Sequence, residues 1–128
     1  MIVAKATAVR PFTARRVDKP WGYELIWAET ESYAGKVLHI EQGHQLSYQY
    51  HAVKDETVHV LRGAIEIDVG AAKGERNTLR LAAGESLHLP AGVRHRIRAL
   101  ETSDVLEAST PHLDDVVRIE DDYGRASE

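Results

Sequence analysis

Two short blocks of the sequence contain the residue types that hold divalent metal ions in proteins. In the first block, Gln49 and His51 lie two residues apart in a candidate strand, so both side chains point to the same face. Glu56 follows a four-residue turn and begins the partner strand. These three donors are therefore expected to converge.

In the second block, a Pro-x-Gly turn brings a further donor towards the first three. Pro90 and Gly92 predict a tight turn that delivers His95 to the start of the next strand. Two imidazoles, one carboxylate and one amide oxygen suit Zn²⁺, Mn²⁺, Fe²⁺, Co²⁺ or Ni²⁺ and do not select among them. An open coordination position would make such an ion a Lewis acid that stabilises an anionic intermediate.

We therefore predict one divalent transition metal ion, with the ligands Gln49, His51, Glu56 and His95. The alternative is a metal-free barrel in which these polar side chains satisfy one another's hydrogen bonds.

The composition excludes several classes of protein. A chain of 128 residues has room for one compact domain. It contains no cysteine, which excludes disulfides, thiolate metal sites and a cysteine nucleophile. Its 20 acidic residues outnumber the 16 basic ones, which argues against nucleic acid as a partner. No leader-like pattern and no run approaching about 20 apolar residues occurs, so we expect a cytoplasmic protein without a membrane partner.

The elements that must position the four donors are strands. Short segments rich in β-branched and aromatic residues alternate with Gly, Asp, Asn or Pro, which predicts an all-β sandwich or barrel. We expect an N-terminal arm over 1–19, a barrel over 20–110 and an acidic tail over 111–128 that packs on the barrel. The only candidate helix is 113–124, within that tail. The nine candidate strands are 23–28, 35–41, 46–51, 57–61, 64–69, 77–81, 86–89, 95–99 and 104–108.

Alternation along these strands sorts the other candidate side chains. Lys36 shares a face with Leu38 and Ile40 and, at a strand end, could reach a phosphate. Three histidines are expected on outward faces or at an interface: His39, His59 and His88. Three arginines alternate with His95 and its neighbours and should face away from the metal: Arg94, Arg96 and Arg98.

Both blocks resemble the two motifs of the cupins, Gly-x5-His-x-His-x(3,4)-Glu-x6-Gly and Gly-x5-Pro-x-Gly-x2-His-x3-Asn. The matching residues are Gly43, His51, Glu56 and Gly63 in the first motif and Gly84, Pro90, Gly92 and His95 in the second. Gln49 replaces a histidine of the first motif, and Ala99 replaces the final asparagine of the second. The resemblance implies a single-domain cupin, a double-stranded β-helix or jelly-roll barrel with the metal between its sheets.

Within the cupins, the Gln/His/Glu/His set is similar to that of type II mannose-6-phosphate isomerases. Lys-Pro-Trp-Gly at 19–22 and the stretch 114–125 also resemble the opening and ending of their isomerase domain. The resemblance implies a sugar-phosphate isomerase that works through a metal-stabilised cis-enediolate, and a homodimer paired through sheet edges and arms. Because 128 residues leave no room for the guanylyltransferase domain of those relatives, nucleotide-sugar synthesis is not expected.

The same resemblance suggests roles for two further residues. Lys54 stands where the relatives have an arginine two residues before the glutamate, which makes it the candidate catalytic or phosphate-contacting group. Arg96 follows the second-motif histidine as an arginine does in the relatives, which makes it, with Lys36, a candidate for substrate binding. The substrate is expected to be a small molecule, a sugar or a sugar phosphate.

Two alternative functions belong to different classes. Ala52 and Val53 replace a His-rich stretch of the relatives, which favours a non-catalytic sugar-binding or sensor cupin. A metal-dependent oxygenase would require redox-active Fe²⁺ with open coordination positions, and Gln49 in place of histidine argues against it.

Overall fold

Antiparallel strands form all the regular secondary structure in the part of the chain that the structure describes. A computed structural model describes residues 9–126, and within them no helix is long and apolar enough to span a membrane. The strands are β1 (Arg15–Lys19), β2 (Gly22–Glu29), β3 (Ala34–Ile40), β4 (Tyr48–Tyr50), β5 (Glu56–Arg62), β6 (Ala64–Gly70), β7 (Asn77–Ala82), β8 (Ser86–Leu89), β9 (Arg94–Ala99), β10 (Ser103–Ser109) and β11 (Val117–Glu120).

Two facing sheets enclose the core. The first has the order β1-β2-β3-β10-β5-β8 and the second the order β11-β4-β9-β6-β7. Period-2 alternation points every second side chain of each strand inward, where apolar residues from both sheets meet. The most deeply buried apolar side chains are Ile40, Val58, Val60 and Val105 of the first sheet and Ile65 and Ile67 of the second.

The all-β prediction is confirmed, and each of the nine predicted strands overlaps an observed one. The structure adds two strands that alternation did not predict, β1 and β11. β1 lies within the range expected to form an arm and pairs with β2 at the edge of the first sheet. β11 replaces the candidate helix and pairs with β4 at the edge of the second sheet. The first eight residues of the arm lie outside the described part of the chain.

One end of the barrel interior is charged rather than apolar. On β5, the inward positions run from Glu56 to Val58 and Val60. Antiparallel pairing sets Glu107 of β10 between Lys36 of β3 and Val58 of β5, so these two charged residues lie one inward position along the barrel from Glu56. All three charged side chains are buried. Buried charges require specific partners, so these three side chains make this end of the barrel the candidate site for chemistry.

Gly22 is fixed by both its backbone conformation and its surroundings. Its φ is +148°, and an added Cβ would overlap the carbonyl oxygen of His39 on β3. We expect Gly22→Ala to lower the free energy of unfolding, measured in urea, by about 3 kcal/mol through strain and overpacking. Gly43→Ala is the control, because Gly43 also has positive φ, +82°, but no described atom lies within 4 Å of its added Cβ. Equal losses in the two variants would contradict the overlap at Gly22.

Candidate metal centre

His51, Glu56 and His95 converge at the charged end of the barrel. His95 Nε2 lies 3.2 Å from Glu56 Oε1, and His51 Nε2 lies 3.7 Å from Glu56 Oε2. The imidazole ring centroids are 5.3 Å apart. One ligand atom from each residue lies within 4.8 Å of the others, and all three residues are buried. Two imidazole nitrogens and a carboxylate oxygen at this separation are a donor set for a divalent transition metal ion.

The hydrogen bonds of the two imidazoles leave their metal-binding nitrogens directed into this cluster. His51 Nδ1 donates to the carbonyl of Asp115, and His95 Nδ1 donates to the carbonyl of Val93 at 3.1 Å. A carbonyl accepts only, so each Nδ1 carries the proton and each Nε2 keeps its lone pair. His51 Nε2 is buried and has no hydrogen-bond partner among the described residues. A buried acceptor without a donor is costly, and a metal ion would satisfy it, so these residues fit the ion.

Gln49 lies beside the three clustered residues. It pairs with His95 across β4 and β9, and it lines the same cavity as His51. Its Oε1 accepts a hydrogen bond from Ser47 Oγ at 2.6 Å, which leaves a second lone pair on that oxygen. Residues 47, 49 and 51 share one face because they alternate along the chain. Gln49 thus has the position expected of a fourth ligand, with an orientation set by Ser47.

Lys54 lies between Glu56, one of the three clustered residues, and a second buried carboxylate, that of Glu107. Its Nζ lies 3.0 Å from Glu56 Oε2 and 3.0 Å from Glu107 Oε2. Burial alone would lower the pKa of Lys54, but the charges of Glu107 and Glu56 raise it above its usual value. Burial would likewise raise the pKa of Glu56, but its contact with His95 and the charge of Lys54 hold it well below its ordinary range. Lys54 and Glu56 are therefore both charged at neutral pH.

The pKa of Glu107 is shifted in the opposite direction to that of Glu56. Complete burial, followed by the nearby charge of Glu56, raises the pKa of Glu107, and Lys54 offsets this only in part. Burial also lowers the pKa of His51, which keeps the imidazole neutral and able to bind metal. The cluster thus holds an ionised carboxylate, a carboxyl group with raised pKa and a neutral imidazole side by side.

A cavity of about 80 Å³ lies directly against these groups and is lined by positive charges. The cations at its wall are Lys19, Lys54, Arg118 and Arg125, and the carboxylates are Glu24 and Glu107. The pKa of Lys19 is lowered, chiefly by burial, and the nearby charges of Arg118 and Arg125 contribute to the same shift. Such a concentration of positive charge attracts an anionic ligand.

The structure brings neither of the two predicted substrate-binding residues to the wall of this cavity. Lys36 is buried behind it, with Nζ 3.3 Å from Oε1 of the cavity residue Glu24. Arg96 does not line the cavity, because alternation along β9 turns it away from His95. Its guanidinium donates instead to the carbonyls of Leu46 and Glu120, at 2.9 and 3.2 Å. Lys54, by contrast, lies at the cavity wall.

Sequence reasoning assigned no role to four residues that build this site: Lys19, Asp115, Arg118 and Arg125. β1 and the C-terminal segment carry them to the cavity from far along the chain. Arg125 is held by Asp121, which accepts hydrogen bonds from its backbone amide and from its guanidinium, the latter at 2.9 Å. A signal was present, because these residues lie in the two stretches, 19–22 and 114–125, that resemble the isomerase family outside the barrel motifs.

Two facing antiparallel sheets with a His-Glu-His cluster at one end of the barrel are the features of a cupin. A sequence-family profile described as "Cupin domain" matches residues 36–108, more than half of the chain, and the chain belongs to this family. Among curated proteins it is 34% identical over 117 residues to the xanthan biosynthesis protein XanB of Xanthomonas campestris pv. campestris, covering 87% of this chain and 24% of that protein. It is also 34% identical over 119 residues to a mannose-1-phosphate guanylyltransferase of Salmonella montevideo, with 88% and 24% covered. The chain spans about a quarter of the length of these relatives.

Solved structures of several differently named proteins share this fold. KdgF from Halomonas sp. is 25% identical, with a TM-score of 0.67 over 78% of this chain and 90% of that one. Oxalate decarboxylase from Bacillus subtilis is 16% identical, with a TM-score of 0.74 over 84% and 31%. The capsular polysaccharide assembling protein CapF from Staphylococcus aureus is 18% identical, with a TM-score of 0.71 over 86% and 35%. The last two likenesses establish the fold alone.

Proposed function

We propose that this cupin is a metal-dependent sugar-phosphate isomerase that interconverts an aldose phosphate and a ketose phosphate, with mannose 6-phosphate as the first substrate to test. The observation that carries the proposal is the contact between two features, the His51–Glu56–His95 cluster and the cation-lined cavity. A divalent ion held by these residues and Gln49 would supply an electrophile for the sugar oxygens.

The charge of the cavity supports a phosphorylated substrate. Lys19 and Arg125 lie at its wall, and they are the groups that we propose to bind the phosphate. Asp121 already accepts from Nε and Nη2 of Arg125, so this arginine offers a phosphate its remaining N–H donors, and Lys19 offers a point charge. One relative is named as an enzyme of mannose 1-phosphate, which also points towards sugar phosphates.

Aldose–ketose interconversion requires a proton to leave one carbon and return to its neighbour. Glu107 Oε2 is the group we propose for this transfer, because burial raises its pKa towards the range in which a carboxylate accepts and returns a proton. Lys54, 3.0 Å away, stays charged and stabilises negative charge on the sugar oxygens. Trp21 is buried at the cavity wall and excludes water from the transfer.

A non-catalytic sugar-binding cupin is the second candidate. Lys54 is held between two buried carboxylates at 3.0 Å, a placement that a purely structural lysine would also adopt. In that case the same cavity binds a sugar phosphate without converting it.

The deciding experiment incubates the protein, loaded in turn with Zn²⁺, Mn²⁺, Co²⁺, Ni²⁺ and Fe²⁺, with mannose 6-phosphate and other aldose phosphates in deuterated water. NMR is expected to detect the ketose phosphate and deuterium at the carbon that exchanges its proton. Binding without conversion or exchange, with any metal, would refute the isomerase and leave the binding cupin. Oxygen uptake with Fe²⁺ would identify an oxygenase.

Lys19 provides a test of the phosphate-binding role of the cavity. We expect Lys19→Ala to raise the KM for the sugar phosphate by about 10- to 100-fold, the range for losing a hydrogen bond to a charged group, with a smaller change in kcat. Arg15→Ala is the matched control, because Arg15 lies on the same strand with its side chain 60% exposed and ion-paired to Glu29. Equal KM values for Lys19→Ala and the unsubstituted protein would remove Lys19 from the phosphate site.

We also propose that the protein is cytoplasmic. We propose that it forms a homodimer that pairs through sheet edges, to which residues 1–19 contribute. An acidic net charge of -4 argues against nucleic acid as a partner.

A further inference from the structure

Asp115, in the C-terminal segment, contacts the loop that runs from His51 towards Glu56. Its carboxylate accepts hydrogen bonds from three successive backbone amides: Oδ1 from Ala52 at 3.1 Å, and Oδ2 from Val53 at 2.7 Å and from Lys54 at 2.8 Å. Its own carbonyl accepts the proton of His51 Nδ1. The side chain and the backbone of a single residue thus contact four consecutive residues that begin at a metal ligand.

These contacts hold the connection between two of the ligands. The three amides lie in the loop between β4 and β5, outside both strands, so no sheet ladder satisfies them. The loop begins at His51 and leads to Glu56, so its conformation sets the distance between the two ligand atoms.

The carbonyl of Asp115 has a separate effect on His51. Because it accepts the Nδ1 proton, it keeps the Nε2 lone pair of His51 available to a metal and fixes the plane of the ring. For His95 the corresponding partner is the carbonyl of Val93, only two residues away along the chain. For His51 the partner lies in the C-terminal segment instead.

The same segment forms a wall of the cavity. Its contributions to that wall are Leu113, Val116, Arg118 and Arg125. The same segment therefore covers the cavity and supplies the carbonyl that orients His51. Displacing the segment would open the cavity and remove the partner of His51 together.

We propose that Asp115 is a positioning residue that couples metal binding to docking of the C-terminal segment, so that each stabilises the other. The proposal rests on the metal site of the proposed function and is independent of isomerase activity. Linkage requires reciprocity: if the docked segment raises metal affinity, bound metal must stabilise the docked segment by the same factor. A residue with only a structural role in the loop would not produce this second effect.

The test measures Zn²⁺ affinity by competition with a chromogenic chelator, without any sugar. Asp115→Ala keeps the main-chain carbonyl that accepts from His51 Nδ1 but removes the carboxylate that holds this carbonyl against the loop, so Zn²⁺ binding is expected to weaken by about 10-fold, the lower end of the range for disturbing a partner that orients a metal ligand. Asp115→Asn keeps one acceptor oxygen and is expected to lose less. Asp114→Asn is the matched control, because Asp114 is the exposed neighbour and its replacement removes the same charge. Circular dichroism checks that each variant is folded, and Asp115→Asn carries the test if Asp115→Ala is not.

Hydrogen exchange provides the second readout. In the unsubstituted protein and in Asp114→Asn, Zn²⁺ is expected to slow amide exchange over residues 113–126, and in Asp115→Ala this protection is expected to be lost. Either of two results would overturn the proposal: Zn²⁺ affinity in the Asp115 variants within twofold of the unsubstituted protein, or no effect of Zn²⁺ on exchange in the segment of the unsubstituted protein. Failure of the isomerase assay alone would leave both readouts unchanged.

Discussion

Replacing His51 by alanine is expected to abolish stoichiometric metal binding. His51 Nε2 is a buried acceptor without a partner among the described residues, and alanine leaves no donor atom in its place. Loss of a partner behind a metal ligand already costs about 10- to 100-fold in affinity, so loss of the ligand itself should cost more than about 100-fold. His95→Ala should behave in the same way, because its Nε2 lies 3.2 Å from the same carboxylate. Chelator competition with Zn²⁺ measures both variants.

His59→Ala is the control for the histidine substitutions. His59 lies on β5 with Glu56 but on the opposite face, where its Nδ1 is 2.8 Å from Ser86 Oγ. Its removal should leave Zn²⁺ affinity unchanged. If His51→Ala or His95→Ala retained full affinity, the ligand assignment would be wrong.

Replacing Lys54 by methionine is expected to produce the largest loss of stability among single substitutions in the site. Only 4% of the Lys54 side chain is exposed, and its Nζ is 3.0 Å from both Glu56 and Glu107. Methionine keeps the volume but leaves two buried carboxylates without their shared cation. Breaking a buried ion pair from one side costs about 3–5 kcal/mol, and we expect this loss in the free energy of unfolding. Urea denaturation with a chelator present measures it without a contribution from metal.

Two further variants isolate the charge of Lys54 as the cause. Arg62→Met removes an exposed cation that is ion-paired to Asp104 at 2.8 Å, and it should cost at most about 1 kcal/mol. Adding Glu107→Gln to Lys54→Met removes one of the uncompensated carboxylates and should restore part of the lost stability. A loss below about 1 kcal/mol in Lys54→Met would mean that the carboxylates do not depend on Lys54.

Nine of the eleven strands could be predicted from sequence, including the edge strands β7 and β8, whereas the edge strands β1 and β11 could not. A central strand such as β6 alternates apolar and charged residues, for example Ile65 and Ile67 against Glu66. β1 and β11 are edge strands with one neighbour each, and most of their residues are charged, as is common for exposed edges. They form because a partner strand supplies their hydrogen bonds, which local alternation does not encode.

The same distinction applies to the site. Residues 49, 51 and 56 span eight residues of sequence, and His95 follows a recognisable turn, so their convergence could be predicted from spacing. The expectation that Glu56 begins the strand that pairs with β4 is wrong, because the loop after His51 crosses between the sheets and β4 and β5 lie in different ones. Asp115 reaches the loop after His51 across 61 to 63 residues of chain, a pairing that no local pattern contains. Strand alternation correctly expected Arg96 to face away from His95, but the carbonyls of Leu46 and Glu120 that hold it belong to tertiary structure.

X-ray absorption spectroscopy of the Zn²⁺-loaded protein tests the central claim most directly, that this cupin holds a metal ion through His51, Glu56 and His95. We expect one Zn²⁺ ion per chain, with two imidazole nitrogens at Zn–N distances of about 2.0–2.1 Å and oxygen atoms as the other ligands. His51→Ala and His95→Ala should each remove imidazole scattering. A spectrum of Zn²⁺ without imidazole ligands, or one unchanged in both variants, would contradict the claim.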